Sequence, residues 1–380
     1  MGVHVLVAPD KFKGSLTAAQ VAAHVAAGLR SVLPDLVVRE LPVADGGDGT
    51  VDAAVQAGFT RVRVRASGPT GVPVDASYAR RGDLAVIEMA TVCGLLRLPL
   101  GRREPLHASS FGLGEVVGAA AAAGCRRVVL GIGGSASTDG GAGMLQALGA
   151  RLRDERGREL PPRGLPPHDT PYTLELAGLD PILRDVEIVV ACDVDNPLFG
   201  IQGAAVVYGP QKGASPQDVS LLDAALRRWA DAVASATGTD LADAPGAGAA
   251  GGVGFAALAV LDAMLRPGIE IVLGLVGFTE HLADCSLVIT GEGALDEQTL
   301  AGKAPAGVSA AAHAAGVPVV AVAGQSTLTP ADLAAAGISE VYPLSELEPD
   351  IVRSIACAGP LLAQLGARIA RERLATPAIH

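Results

Sequence analysis

Short runs of β-branched and aliphatic residues recur along this chain, at 3–8, 37–41, 62–64, 84–87, 128–131, 188–191, 287–290 and 317–323. Most are too apolar to keep one side in water, so they read as strands covered on both faces. Helical patterns lie between several of them. The clearest covers 17–33: Thr17 and Gln20 make a capping box, Val21, Val25, Leu29 and Val32 form an apolar stripe, and Pro34 stops the helix. Strands alternating with helices predict an α/β fold with parallel sheets.

At 380 residues the length favours two domains. Two breaks interrupt the pattern, a Pro-rich surface excursion at 154–171 and a Gly-rich stretch at 236–252, and neither reads as a linker. A net charge of -11 and 3% aromatic residues argue against nucleic acid, which needs clustered cations and stacking platforms. The five cysteines are odd in number and widely spaced, and the seven histidines are scattered, so reduced thiols and no zinc site are expected. No basic leader precedes the first apolar run, and no stretch approaches the roughly 20 apolar residues of a membrane span. The expectation is a cytoplasmic protein without membrane partners.

Unusual polar clusters follow the predicted strands: PDKFKGS after the first, ADGGDGT after the second, GIGGSASTDGG at 131–141, CDVDNP at 192–197 and GEGALDEQT at 291–299. In parallel α/β sheets ligands bind beyond the carboxyl ends of strands, so these loops are expected to share a rim. The stretch 131–141 carries five glycines, and its backbone N–H groups with the hydroxyls of Ser135, Ser137 and Thr138 suit phosphate oxygens. Asp10, Lys11, Lys13 and Ser15 stand at the first strand's mouth, where a lysine can meet a phosphoryl group or a carboxylate. Asp45, Asp48, Asp193, Asp195, Glu292 and Asp296 supply carboxylates of the kind phosphoryl transfer from ATP uses for Mg²⁺ and for the acceptor proton. The chain has no Walker loop, no protein-kinase signature, no hydrolase elbow and no zincin motif.

Taken in series, APDKFKGSL (8–16), ADGGDGT (44–50), GIGGSASTDGGAGMLQALGA (131–150), ACDVDNPLFG with GPQKGA (191–214), PGAGAAGG (245–252) and VITGEGALDEQTLAGKAP (288–305) resemble the type-1 glycerate kinases. The resemblance implies ATP-dependent phosphorylation of glycerate, D-glycerate to 2-phosphoglycerate, with Mg²⁺. It implies a flavodoxin-like α/β domain built from both chain ends (1–75 and 280–380), an inserted α/β domain (76–279) and an active site in the cleft between them. A homodimer is compatible with it. Asp193 is expected to accept the hydroxyl proton, Lys13 to stabilise the transferring phosphoryl group, and Glu292 with Asp296 to organise the metal. Substrate or phosphate contacts are expected from Asp10, Lys11, Ser15, Asp45, Asp48, Gly133, Gly134, Ser135, Ser137, Thr138, Asp139, Asn196, Lys212 and Lys303. Family words often carry Ser at Lys11, Glu at Asp48 and Arg at Ala294, and Lys303 is the nearby cation that could replace that Arg.

Two other readings stand beside the kinase. Gly131, Gly133 and Ala136 match a loose dinucleotide fingerprint, with Asp154 or Glu155 on the ribose, and Gly246, Gly248 and Gly251 match the strict one. That suggests an NAD-dependent oxidoreductase of a small hydroxy acid. A non-catalytic sugar-acid-binding protein is the third.

Overall fold

The computed structural model describes residues 4–99, 102–161, 164–166, 169–300 and 302–375. Val3 of the first expected strand, and positions 162, 163, 167 and 168 of the Pro-rich excursion, lie outside the described residues. The strands are β1 (His4–Pro9), β2 (Val37–Glu40), β3 (Thr60–Ser67), β4 (Pro73–Arg81), β5 (Leu84–Glu88), β6 (Arg127–Gly131), β7 (Arg151–Arg153), β8 (Thr173–Glu175), β9 (Glu187–Ala191), β10 (Met264–Arg266), β11 (Leu287–Leu295), β12 (Val319–Ser326) and β13 (Glu340–Pro343). The chain divides into two compact units.

Unit 1 is formed by the described residues of Met1–Asp45, Asp52–Ala57 and Gly268–His380. Its sheet has the order β13-β12-β11-β1-β2, and every pair is parallel. In chain order this is the flavodoxin-like arrangement 2-1-3-4-5, with its switch point between β1 and β11. Alternate residues of β1 explain the unbroken apolar run. Val5 and Val7 pack into a cluster with Val21, Val25, Leu29, Leu362 and Leu365, while Leu6 and Ala8 pack into another with Ile269, Val272, Ala304 and Val308. Both faces of the strand are therefore dry, and each fully buried Val or Leu contributes about 1.5–3 kcal/mol.

The expected capping box is present: Gln20 N donates to Thr17 Oγ1 at 3.2 Å and Thr17 N donates to Gln20 Oε1 at 2.9 Å, opening the helix Ala18–Val32. That helix crosses the helix Ala358–Ile369 at two glycines. A Cβ on Gly28 would overlap the Ala363 carbonyl, and one on Gly366 would overlap that of Val25.

Unit 2 is Gly46–Val51 with Gly58–Pro267. Its main sheet has the order β10-β9-β6-β5-β4-β3, parallel from β10 to β5 and antiparallel at β4 and β3. β7 and β8 form a separate two-stranded ribbon ahead of and behind the Pro-rich excursion. The core gathers Tyr78, Ile87, Leu130, Met144, Trp229 and Phe255.

Two expectations are corrected here. The chain passes from the first unit to the second near 58 rather than 75, because β3 pairs with β4 along its whole length, from Thr60 opposite Arg80 to Ser67 opposite Pro73. It returns near 268 rather than 280, because Ile269 and Val272 pack into the first unit's core. The run 62–64 is not covered on both sides either. Val62 and Val64 pack on the core while Arg61, Arg63 and Arg65 are exposed, the alternation of a half-wet antiparallel strand.

Gly28→Ala should destabilise unit 1 by about 1–3 kcal/mol, since an extra methyl must be forced into a closed helix crossing. The gain in helix propensity, about 0.5–1 kcal/mol, is too small to reverse the sign. Urea unfolding of the variant against wild type checks it.

Candidate active site

Register sets the rim of the second sheet. Glu88 pairs with Gly131 and Gly131 with Ala191, so the segments that follow β5, β6 and β9 leave the sheet side by side at its carboxyl edge. The segment after β6 is the glycine-rich loop. Leu95 N donates to Gly134 O at 3.0 Å and Ala136 N to Cys93 O at 2.8 Å, while Gly140 N donates to Gly251 O at 2.9 Å. The Trp229 indole donates to Gly140 O at 2.9 Å. Lys212 is 2% exposed and donates to Ser135 Oγ at 3.0 Å and to Ser137 O.

A second turn closes on this loop. Ala250, Gly251 and Gly252 are all left-handed, with φ of 53°, 73° and 93°. Ala250 is strained there, and such strain persists only where the surroundings impose it. Gly251 is imposed by contact, since a Cβ would overlap Ser137 O and stand 2.9 Å from Lys212 Nζ. The Gly-rich stretch at 236–252 is thus a clamp on the loop after β6, within one unit.

Several residues expected to touch substrate make hydrogen bonds inside the protein. Asp139 is buried and accepts from Ser110 N at 2.8 Å, Ser110 Oγ at 2.9 Å, Gly141 N at 3.2 Å, Gly143 N at 3.3 Å and Ser109 Oγ at 3.4 Å. Burial pushes its pKa up and these donors oppose the shift by favouring the carboxylate. Burial takes the Lys212 ammonium down to about 7, with Asp139 opposing. Asn196 donates to Gln202 O at 2.8 Å and accepts from the Tyr208 hydroxyl at 2.5 Å. Ser15 donates to Ile355 O at 3.0 Å. All four are struts.

The hydroxyls of Ser137 and Thr138 behave differently. Both residues are buried, and neither oxygen has a hydrogen-bond partner among the described residues. His4 Nε2, Arg228 Nε and Ser309 Oγ are in the same condition elsewhere among the described residues, and what distinguishes Ser137 and Thr138 is that they are adjacent in the glycine-rich loop. Asp193 follows β9 on the same rim and is exposed.

The rim of unit 1 carries the opposite character. Asp10 directly follows β1, and its N–H donates to Gly291 O of β11 at 2.8 Å, at the switch point. Burial raises its pKa to about 7, Lys11 opposes this, and Asp45 and Glu292 add to it. Lys11 N donates to Asp10 Oδ1 at 2.6 Å. Burial likewise raises Glu292, against a hydrogen bond from Thr299 Oγ1 at 2.5 Å and the charge of Lys303. Lys303 Nζ lies 3.8 Å from Glu292 and 3.8 Å from Asp296, so it supplies the cation that Ala294 does not. Lys13 is exposed beside Gly14 at the tip of the loop after β1, whose base is pinned by buried Phe12.

Sequence reasoning missed Glu88. It is buried, and its two carboxyl oxygens accept from Gly49 N at 2.9 Å and Val51 N at 3.1 Å, fixing the loop that holds Asp48. The signal that could have found it is the one used elsewhere, a carboxylate at the carboxyl end of a buried strand. Burial raises its pKa to about 7, the two N–H donors oppose this, and a hydrogen bond with Asp48 adds to it.

A carboxyl whose folded pKa exceeds its unfolded one loses native stability as pH rises between the two, here from 4.5 to about 7. Glu88→Gln abolishes that dependence but leaves one backbone N–H without its acceptor, a cost of about 1–3 kcal/mol. Wild type should therefore be the more stable near pH 4.5, and its advantage should shrink by up to about 1.4 kcal/mol per pH unit as pH rises toward 7. Urea titrations of both proteins across that window measure the difference; a constant difference contradicts the assignment.

The dinucleotide reading offers Asp154 or Glu155 for a ribose, and the first of these is engaged within its own turn. Its carboxylate accepts from Arg156 N and Arg158 N, each at 2.9 Å, and pairs with the Arg158 guanidinium at 2.8 Å. Comparison with known proteins agrees. A solved structure from Salmonella typhimurium LT2, provisionally assigned as glycerate kinase 2, superposes with a TM-score of 0.83 at 42% identity over 98% of each chain. The glycerate kinase of Bacillus subtilis (strain 168) is 47% identical over 84% of this chain and 84% of its own. The glycerate 2-kinase of Escherichia coli (strain K12) is 45% identical over 85% of each. The model of the glycerate kinase family matches residues 5–374, and the chain belongs to that family.

Proposed function

We propose that this chain is a type-1 enzyme that transfers the γ-phosphoryl group of ATP to the 2-hydroxyl of D-glycerate. The observation that carries the reading is the pair of buried, unpartnered hydroxyls on Ser137 and Thr138, in a loop fixed by Lys212 and by the turn at 250–252. A phosphate oxygen is the acceptor such hydroxyls lack. A loop already rigid spends little binding energy on ordering.

Asp193 takes the proton of the glycerate hydroxyl as its oxygen attacks phosphorus. The bond to the bridging oxygen of ADP breaks in line, and ADP departs. Lys13 faces charge on the transferring group. Among the described residues no group of three or more His, Cys, Asp or Glu side chains is arranged to hold a metal alone. Mg²⁺ suits such a chain, because it keeps waters and phosphate oxygens and takes one or two carboxylates. Glu292 and Asp296 would hold it, and the crowding of Asp10, Asp45 and Glu292 is the electrostatics of a site that gains from positive charge. When bound with ATP the ion neutralises charge on the β- and γ-phosphates.

Removing an unsatisfied buried hydroxyl need not destabilise a protein. Ser137→Ala with Thr138→Val should leave the thermal midpoint unchanged or raised, while kcat/KM falls by about tenfold or more. A drop in both quantities would make the hydroxyls structural. Asp193→Asn should lower kcat by roughly two orders of magnitude or more with little change in nucleotide affinity. In ³¹P NMR with Mg-ATP and D-glycerate, the new phosphomonoester should be split by one carbinol proton. A resonance split by a CH₂ would move the product to the 3-position.

A further inference from the structure

A second concentration of charge lies on the outer face of the β3–β4 hairpin. β3 is the edge strand of its sheet, and its outward residues are Arg61, Arg63 and Arg65. Register sets Ser77 opposite Arg63 and Asp75 opposite Arg65. Arg97, from the short turn Leu95–Arg97, joins them around a cavity of about 650 Å³. Four guanidiniums and one carboxylate thus line one cavity in a chain whose net charge is -11.

Edge protection does not account for this arrangement. A single charge on an exposed edge suffices to block strand pairing, and lysine is the residue that natural edges favour. Here the cations are all arginines, they converge on a concavity, and they come from two separate elements. Arg61 donates to Ser77 Oγ at 3.2 Å, whereas Arg63, Arg65 and Arg97 form no ion pair among the described residues. Their mutual repulsion needs an anion to offset it. Guanidinium forks match phosphate oxygens in pairs, and alternate residues over this stretch of strand span roughly 13 Å. That is longer than one phosphate group requires.

We propose that this cleft binds an oligophosphate, a chain of two or three linked phosphate groups, gripped by Arg63, Arg65 and Arg97. The phosphates could belong to a nucleotide or to a separate phosphorylated metabolite, and both present the same chemistry. The cleft is also joined to the rim: Thr91 Oγ1 donates to Glu88 O at 2.8 Å, and Leu95 N donates to Gly134 O at 3.0 Å. An anion on Arg97 therefore acts on a turn bonded directly to the glycine-rich loop.

Calorimetric titration of the full chain with inorganic tripolyphosphate tests this without reference to turnover. One site per chain is expected, with affinity that falls as salt rises. Arg63→Ser with Arg65→Ser should weaken it by roughly tenfold or more while leaving the thermal midpoint in place. Arg97→Ser, on a different element, should weaken it too and covers the case in which the double variant fails to fold. Repeating the titration with a saturating non-hydrolysable ATP analogue separates the sources. Displacement of the probe assigns the cleft to the nucleotide's own phosphates, and simultaneous binding assigns it to a second anion. Equal binding by wild type and both variants, or no wild-type binding at millimolar probe, overturns the proposal.

Discussion

An ammonium group with almost no exposed surface sustains the loop after β6. Lys212 reaches that loop at Ser135 Oγ and Ser137 O, and no water competes for it. The cost of burying such a charge is several kcal/mol unless partners and a counter-charge are supplied. Asp139, held by donors from Ser109, Ser110, Gly141 and Gly143, is the nearby counter-charge. The consequences spread outward. Gly251 must lack a Cβ because Lys212 and Ser137 occupy the space, Ala250 accepts strain so that the turn can close, and Trp229 seals the far end through Gly140. The glycines of 131–141 therefore serve close packing as much as ligand contact. Within that loop the hydroxyls of Ser137 and Thr138 have no partner among the described residues.

The fold was legible where burial alone decides structure. β1 is apolar on both faces because two separate clusters cover it, and the helix beginning at Ala18 announces itself through Thr17 and Gln20. The hairpin of β3 and β4 was not legible. The run 62–64 reads as a strand and its arginines alternate with Val62 and Val64, but the length of β3 and its partner β4 follow from the pairing, which that alternation does not specify. The first domain crossing moved because the local pairing of β3 with β4 carries residues 60–67 into the second unit's sheet, a pairing that the residue pattern of β3 does not announce.

The candidate site divides in a similar way. Loops could be assigned to the rim because each follows a buried strand. Whether a polar side chain turns outward or inward has no such signature. Asp139, Asn196, Lys212 and Ser15 are as polar as any ligand-binding residue, yet their partners are Ser110, Gln202, Ser135 and Ile355. Glu88 was missed because its importance arises from register: it pairs with Gly131 and reaches back to Gly49 and Val51.

Each unit has its own electrostatic character at the carboxyl edge of its sheet. At the rim of unit 1, burial raises the pKa values of Asp10 and Glu292, and the negative charge of Asp45 adds to both. Lysines at 11 and 303 relieve this only in part, each standing close to 4 Å from its carboxylates. At the rim of unit 2 the shortage is of acceptors, with two buried hydroxyls unpaired. Each rim keeps its own character: the carboxylates of unit 1 gain from any positive charge near them, and the loop after β6 in unit 2 is held by a lysine and by glycines of its own unit.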